Sequence, residues 1–284
     1  MSLPVEWQQW LDENLQRGCA SADLLRLMVD NGIVPSLAET ALRLSQERLR
    51  LPLPVSSGVD VLPSWFEQIT RNPPSQIQTP TGMVQVLFSQ PDPNIIVLDS
   101  FLSDAECDAL IAASIPKMQR SAVVHNTSGA HYIDPVRTST GTYFQRGENE
   151  LIRTIEARIA AVMNLPVENG EGIQVLHYDV SQEYKPHYDY FPPESSGSRV
   201  HTKAENGGQR VATLVMYLNT VAAGGETLFP SVGCKVAAVK GNACLFSYMF
   251  PDGSLDKRSL HSGNPVLQGE KWIATKWMRQ ARYG

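Results

Sequence analysis

A chain of 284 residues with 42% hydrophobic and 19% charged residues has room for one large domain, or a catalytic domain with a small companion, and is too apolar for global disorder. Its formal charge of −5, with no stripe of Lys and Arg, argues against nucleic acid as a partner. No basic, apolar leader opens the sequence and no apolar run approaches the ~18 residues of a membrane span, so no membrane partner and a cytoplasmic location are expected.

Residues 5–49 predict helices. Trp7, Trp10, Leu11 and Leu15 recur at helical spacing, and Ala22, Leu24, Leu25, Leu27 and Met28 follow the candidate N-cap Ser21. Asn31-Gly32 ends the second helix, and Pro35 opens a third through Ala38, Ala41 and Leu42. Residues 1–50 are therefore read as an all-α module, 51–82 as a Pro-rich linker, and 83–284 as the main domain. In that domain the apolar runs VQVLF and NIIVLDSFL precede a helix capped by Ser103, with Glu106 at capping-box spacing, which should pack beside a sheet. Strands are predicted over 211–218, 238–248 and 271–279, so the fold class is α+β, with an antiparallel barrel or jelly roll. Cys19, Cys107, Cys234 and Cys244 form no CxxC pair and read as reduced, structural thiols.

An iron that binds a bidentate cosubstrate and dioxygen leaves room for three protein ligands, and two imidazoles with one carboxylate suit Fe(II). Ligands two apart on a strand share a face, so His-x-Asp can grip one ion. The sequence offers that pair twice, as His177-Tyr178-Asp179 and His187-Tyr188-Asp189, and spacing alone does not choose between them. Downstream stand His261 and, ten residues on (271 − 261), Lys271; the turn-like Gly-Asn-Pro between them allows adjacent strands. Such a cation suits a buried carboxylate, as the distal one of 2-oxoglutarate would be.

The blocks VRTSTGTYF, VLHYDVSQEYKPHYDYF, GGQRVATLVMYLN, GGETLFP and LHSGNPVLQGEKWIATKWMR, in this order over roughly 90–280, resemble the prolyl 4-hydroxylases of the 2-oxoglutarate/Fe(II) oxygenase superfamily. The resemblance implies a double-stranded β-helix (jelly roll) with supporting helices and an iron held by His187, Asp189 and His261, leaving His177 and Asp179 outside the metal site. It also implies that Tyr178, Thr227 and Lys271 bind 2-oxoglutarate, and that ascorbate is a further cofactor. On the substrate side it implies Arg137 and Ser139 on a loop over the peptide, Glu171 and Trp277, with Tyr184 and Arg210 as catalytic residues. Trp277 lies six residues after Lys271 (277 − 271), on the same strand face. Arg279, where relatives often have His, is a further substrate-binding expectation.

The implied activity is a 2-oxoglutarate-dependent dioxygenase that uses dioxygen to hydroxylate proline in a peptide or protein, releasing succinate and carbon dioxide. Two other readings stand beside it. One is a hydroxylase of a free amino or imino acid or a natural-product peptide, with Arg279 and Arg137 gripping a free carboxylate. The other is a non-catalytic binding protein on the same fold. The helical module lies outside the resemblance and is read as binding substrate protein, forming a homodimer or covering a sheet face.

Overall fold

The structure of the protein, a computed structural model, describes residues 3–16, 21–49, 73–120, 123–124, 131–132, 138–195, 197–250 and 252–284. The chain divides into two compact units, Met1–Ser57 and Gly58–Gly284.

The first unit contains α1 (Val5–Gln16), α2 (Ser21–Asp30) and α3 (Pro35–Leu49). Leu11, Leu15, Leu24, Met28, Ala38 and Ala41 recur at helical steps and form its core, with Trp7, Trp10, Leu25 and Leu42 packed around them. Helix α2 stops where Gly32 takes φ +88°: its N–H donates to the Val29 carbonyl while that of Ile33 reaches the Met28 carbonyl, a Schellman closure that favours glycine. Leu27, one of the apolar residues read into this helix, is 45% exposed because it lies a step around the helix from Leu24 and Met28. Among the described residues no helix is long and apolar enough to cross a membrane.

The second unit begins with β1 (Gln76–Thr79), β2 (Gly82–Pro91) and β3 (Asn94–Asp99). The sheet thus starts at Gln76, inside the stretch expected to be linker. Strand β1 buries only Ile77 and Thr79, so its alternation leaves little apolar signal among the preceding prolines. Helix α4 (Asp104–Ser114) carries the expected capping box: Ser103 Oγ accepts from the Glu106 N–H, and the Glu106 carboxylate accepts from the Ser103 N–H. There follow β4 (Gln119–Arg120), β5 (Val123–Val124), β6 (His131–Tyr132), β7 (Thr140–Phe144) and helix α5 (Glu150–Met163). After them come β8 (Ile173–Tyr178), β9 (Tyr184–His187), the short helix α6 (Ser198–His201), β10 (Arg210–Tyr217), β11 (Ala223–Gly224) and β12 (Thr227–Phe229). The last strands are β13 (Cys234–Val236), β14 (Ala243–Ser247), β15 (His261–Gly263), β16 (Val266–Gln268) and β17 (Lys271–Arg279). The strand expected over 238–248 is shortened to β14 because the chain turns at Gly241, φ +84°.

A nine-stranded antiparallel sheet in the order β1-β2-β3-β14-β10-β17-β8-β7-β4 lies opposite a four-stranded sheet in the order β13-β12-β15-β9. This is a jelly roll with helices on its outer face. Period-two geometry sorts the side chains. Val175, Leu214, Met216, Ala274 and Met278 pack with Leu110 of α4 and Ile152, Ile155 and Ile159 of α5. Leu176, Tyr178, Val215, Tyr217 and Ile273 face the other way and pack with Phe229 and Val236 of the small sheet. Both faces of β17 are consequently buried along its whole length, which is why these strands read as continuous apolar runs. On the helix side, Lys276 ion-pairs with Glu156 at 2.6 Å, tying β17 to α5. Gly170 makes room for that pair, since a Cβ there would lie 2.3 Å from Lys276 Cε.

Candidate active site

The inner face of the nine-stranded sheet and the strands of the small sheet enclose a pocket. Its lining includes Tyr178, Tyr184, His187, Asp189, Thr227, His261, Lys271 and Trp277. Pairing of β9 with β15 sets His187 opposite His261, and Asp189 follows two residues after His187. Among the described residues, these three form the one cluster of His, Cys, Asp and Glu able to hold a metal, with ligand atoms within 4.8 Å of one another. His187 Nε2 lies 3.5 Å from Asp189 Oδ1, and His261 Nε2 3.6 Å from Asp189 Oδ2.

Each histidine is oriented by its own backbone. His187 Nδ1 donates to the Lys185 carbonyl at 2.8 Å and His261 Nδ1 to the Ser259 carbonyl at 3.0 Å. Because a carbonyl only accepts, the proton sits on Nδ1 and the Nε2 lone pair is free for a metal. Burial, with the nearby His187, pushes His261 down to about 4, so it is neutral at pH 7. Burial works to raise the Asp189 carboxyl, but the charges that His261 and His187 carry when protonated, a hydrogen bond from His187 and the charge of Arg210 outweigh it and hold it well below the usual carboxylate range. A neutral imidazole beside an ionised carboxylate is the state that metal binding requires. The ring of Tyr184 stacks on that of His187 with centroids 3.6 Å apart, and Phe246 lies 4.5 Å from His261.

Deeper in the pocket Lys271 is 3% exposed, and burial pushes its ammonium down to about 8 against the favourable charge of Glu226. Among the described residues no side chain makes an ion pair or hydrogen bond to it. Its ammonium lies 5.6 Å from the Tyr178 ring centroid, and Tyr178 is its cross-strand partner. Thr227 Oγ1 is buried nearby in the same pocket and shares a 2.9 Å hydrogen bond with Tyr217 OH. A buried cation that no side chain among the described residues bonds, in one pocket with a two-His, one-carboxylate cluster, fits a metal ion and a cosubstrate carboxylate held side by side.

The remaining expected residues divide. Trp277 lines the pocket, and its indole N–H is buried without an acceptor among the described residues. Arg210 stacks on that indole, 4.1 Å from its centroid, donates twice to Glu171, and reaches the Asp189 main-chain carbonyl at 3.2 Å. Arg279 lies beneath the pocket rather than at its wall: it is 3% exposed and donates to Glu171, the His201 carbonyl and the Gly208 carbonyl. Its Nε and Nη1 groups are thus used inside the protein. Ser139 is fully buried, and its neighbour Thr138 is hydrogen-bonded to Glu183, beside Tyr184. Arg137 lies outside the described residues. Sequence reasoning missed Thr213, whose hydroxyl donates to Asp189 Oδ2 at 2.7 Å, along with Val215, Ile273 and Thr275 of the pocket wall. Parity was the available signal, since Thr213 shares a strand face with Val215, and Ile273 and Thr275 lie between Lys271 and Trp277.

Residues 173–279 match the 2OG-Fe(II) oxygenase superfamily. The chain is 44% identical over 211 residues to probable prolyl 4-hydroxylase 3 of Arabidopsis thaliana, covering 68% of this chain and 71% of that protein. It is 46% identical over 203 residues to prolyl 4-hydroxylase 1 of the same plant, covering 66% and 69%. Among solved structures it resembles the viral collagen prolyl hydroxylase of Paramecium Bursaria Chlorella virus-1 in its 2OG complex. That match has 35% identity and a TM-score of 0.51, and covers 65% of this chain and 95% of the viral one. With the jelly roll, the His187/Asp189/His261 cluster and the buried Lys271 already in place, this likeness shows that the chain belongs to the prolyl 4-hydroxylase family of the Fe(II)- and 2-oxoglutarate-dependent oxygenases.

Proposed function

We propose that the protein hydroxylates prolyl residues within a peptide or protein. The observation that carries this reading is one pocket holding the His187/Asp189/His261 cluster, a buried Lys271 with no ion-pair partner among the described residues, and the aromatic walls Tyr184 and Trp277. His187, Asp189 and His261 would hold the iron, and Lys271 with Thr227 would hold the distal carboxylate of 2-oxoglutarate. When bound, iron and cosubstrate supply the oxidising chemistry that places one atom of dioxygen on carbon and yields succinate and carbon dioxide.

The chain's own residues bind, orient and exclude water. Leu176, Val215 and Ile273 line the pocket with apolar surface that keeps solvent from the reacting carbon. Tyr184 stacks on His187 and presents a flat wall suited to a pyrrolidine ring. Arg210, held by Glu171, fixes the plane of Trp277, whose buried N–H has no acceptor among the described residues. Arg279 spends Nε and Nη1 on Glu171 and two main-chain carbonyls, which supports a peptide over a free amino acid whose carboxylate would need a grip of its own. Ascorbate enters the proposal as an auxiliary reductant. A reducing, cytoplasmic setting is supported by the free thiols of Cys107, Cys234 and Cys244; burial pushes Cys107 up to about 11 and Cys244 higher still. Cys19 lies outside the described residues.

Succinate release, followed with proline-containing peptides and with free proline in parallel, tests the proposal. Turnover stimulated by the peptides supports it. Stimulation by free proline alone would move the reading to small-molecule hydroxylation.

A further inference from the structure

A ligand that keeps three adjacent iron positions open must bind through one carboxylate oxygen. If both oxygens of Asp189 bound, a chelating cosubstrate would leave no position for dioxygen. The three-residue cluster does not by itself prevent this, because both oxygens of Asp189 face imidazole nitrogens at similar distances, 3.5 and 3.6 Å.

The oxygens differ in what else they touch. Thr213 Oγ1 lies 2.7 Å from Asp189 Oδ2, and since an ionised carboxylate only accepts, Thr213 donates. Its single proton is then committed, so the 3.2 Å contact between Thr213 Oγ1 and Tyr248 OH runs from the tyrosine to the threonine. The result is a directed chain of two hydroxyls ending on Oδ2, with Thr213 fully buried and Tyr248 1% exposed. Thr213 is held on both sides by the sheet, opposite Phe246 of β14 and Trp277 of β17. The same strand, β10, also holds the main chain of this residue through the bond from Arg210 to the Asp189 carbonyl. Asp189 itself lies beyond the end of β9, where no strand ladder fixes it.

We infer that Thr213, backed by Tyr248, is the positioning residue that engages Oδ2 of Asp189 and leaves Oδ1 as its single metal-binding oxygen. The inference rests on the metal reading of the His187/Asp189/His261 cluster. Thr213 is not among the residues that line the pocket, and it acts by fixing the orientation of Asp189.

Co(II) titrated into the full-length metal-free protein and followed by visible absorbance, then 2-oxoglutarate titrated onto the Co(II)-loaded form, tests the inference without relying on turnover. Thr213→Val keeps the β-branched shape and removes the hydroxyl; Thr213→Ser keeps the hydroxyl. We expect Thr213→Val to weaken Co(II) binding by about 10- to 100-fold and to weaken 2-oxoglutarate binding as well, with Thr213→Ser close to wild type in both. Tyr248→Phe should show a smaller loss in the same direction, and it carries the test alone if Thr213→Val does not fold by circular dichroism. Affinities of Thr213→Val equal to or tighter than wild type for either ligand would overturn the inference, as would a serine variant as weak as the valine one. Failure of the wild-type protein to bind Co(II) would instead remove the metal reading beneath it.

Discussion

The protein contains the tripeptide His-Tyr-Asp twice, and the two copies have opposite fates. His177-Tyr178-Asp179 ends β8, a strand inside the nine-stranded sheet, where alternation sends Tyr178 into the pocket opposite Lys271 and turns His177 to the other face opposite Trp272. There His177 meets Glu270 at 2.8 Å and stacks on Trp272 with ring centroids 4.3 Å apart, while the Asp179 side chain is 70% exposed. His187-Tyr188-Asp189 ends β9, an edge strand of the small sheet whose neighbour β15 brings His261 alongside, and the Asp189 side chain is only 8% exposed. Among the described residues, only the second copy has a neighbouring strand that brings a third side chain able to hold a metal beside it. That clustering is a property of strand pairing and parity, which the local motif does not carry.

The sharpest way to break this contrast is to remove one candidate ligand at a time. His187→Ala, Asp189→Ala or His261→Ala should abolish Fe(II) binding in equilibrium dialysis, whereas His177→Ala should leave it intact. The next effect concerns the only part of the first tripeptide that faces the pocket, the Tyr178 side with its cross-strand partner Lys271. Lys271→Ala should raise the KM for 2-oxoglutarate roughly 10- to 150-fold, the loss of one hydrogen bond between charged groups at about 1.5–3 kcal/mol. An unchanged KM would place Lys271 outside the cosubstrate site.

The same lysine gives a pH signature. Its folded-state pKa is lowered by burial to about 8 from the model-compound value of 10.5, so the ammonium of the unliganded enzyme is lost as pH rises through about 8. Affinity for 2-oxoglutarate should therefore fall above pH 8, by up to about tenfold per pH unit, and Lys271→Arg should flatten that fall. Without cosubstrate the sign for stability is opposite. Between about 8 and 10.5 the unfolded chain binds the additional proton, so folding stability gains with rising pH from this group. The smallest expected effect belongs to the first histidine: His177→Ala removes an aromatic contact and a surface-side bond to Glu270, and should cost about 0.5–1.5 kcal/mol in thermal unfolding.

The sequence made the long strands legible because residues 211–217 and 271–279 are buried on both faces and read as continuous β-branched and aromatic runs. The helix punctuation at Gly32 and the Ser103/Glu106 capping box were legible for a different reason, since each is a local hydrogen-bond pattern with a strict residue requirement. Strand β1 was not, because a four-residue strand with a single large apolar side chain carries almost no periodic signal. Within the site, spacing left the two tripeptides equivalent, and family likeness was needed before strand pairing could be seen. The contacts of Arg279 with Glu171 and two main-chain carbonyls are a tertiary fact that no linear pattern contains. Thr213 was hidden in plain view, a single hydroxyl in an apolar strand whose importance depends on where the Asp189 carboxylate lands.

The most direct test combines the chemistry with the contrast between the tripeptides. Mass spectrometry of a proline-containing peptide, incubated with Fe(II), 2-oxoglutarate and each variant, reads the gain of one oxygen atom and its position. The peptide should carry the oxygen on proline after incubation with wild type or His177→Ala, and carry none after His187→Ala. Equal loss of the product in His177→Ala and His187→Ala, or an oxygen placed on no prolyl residue, would contradict the account.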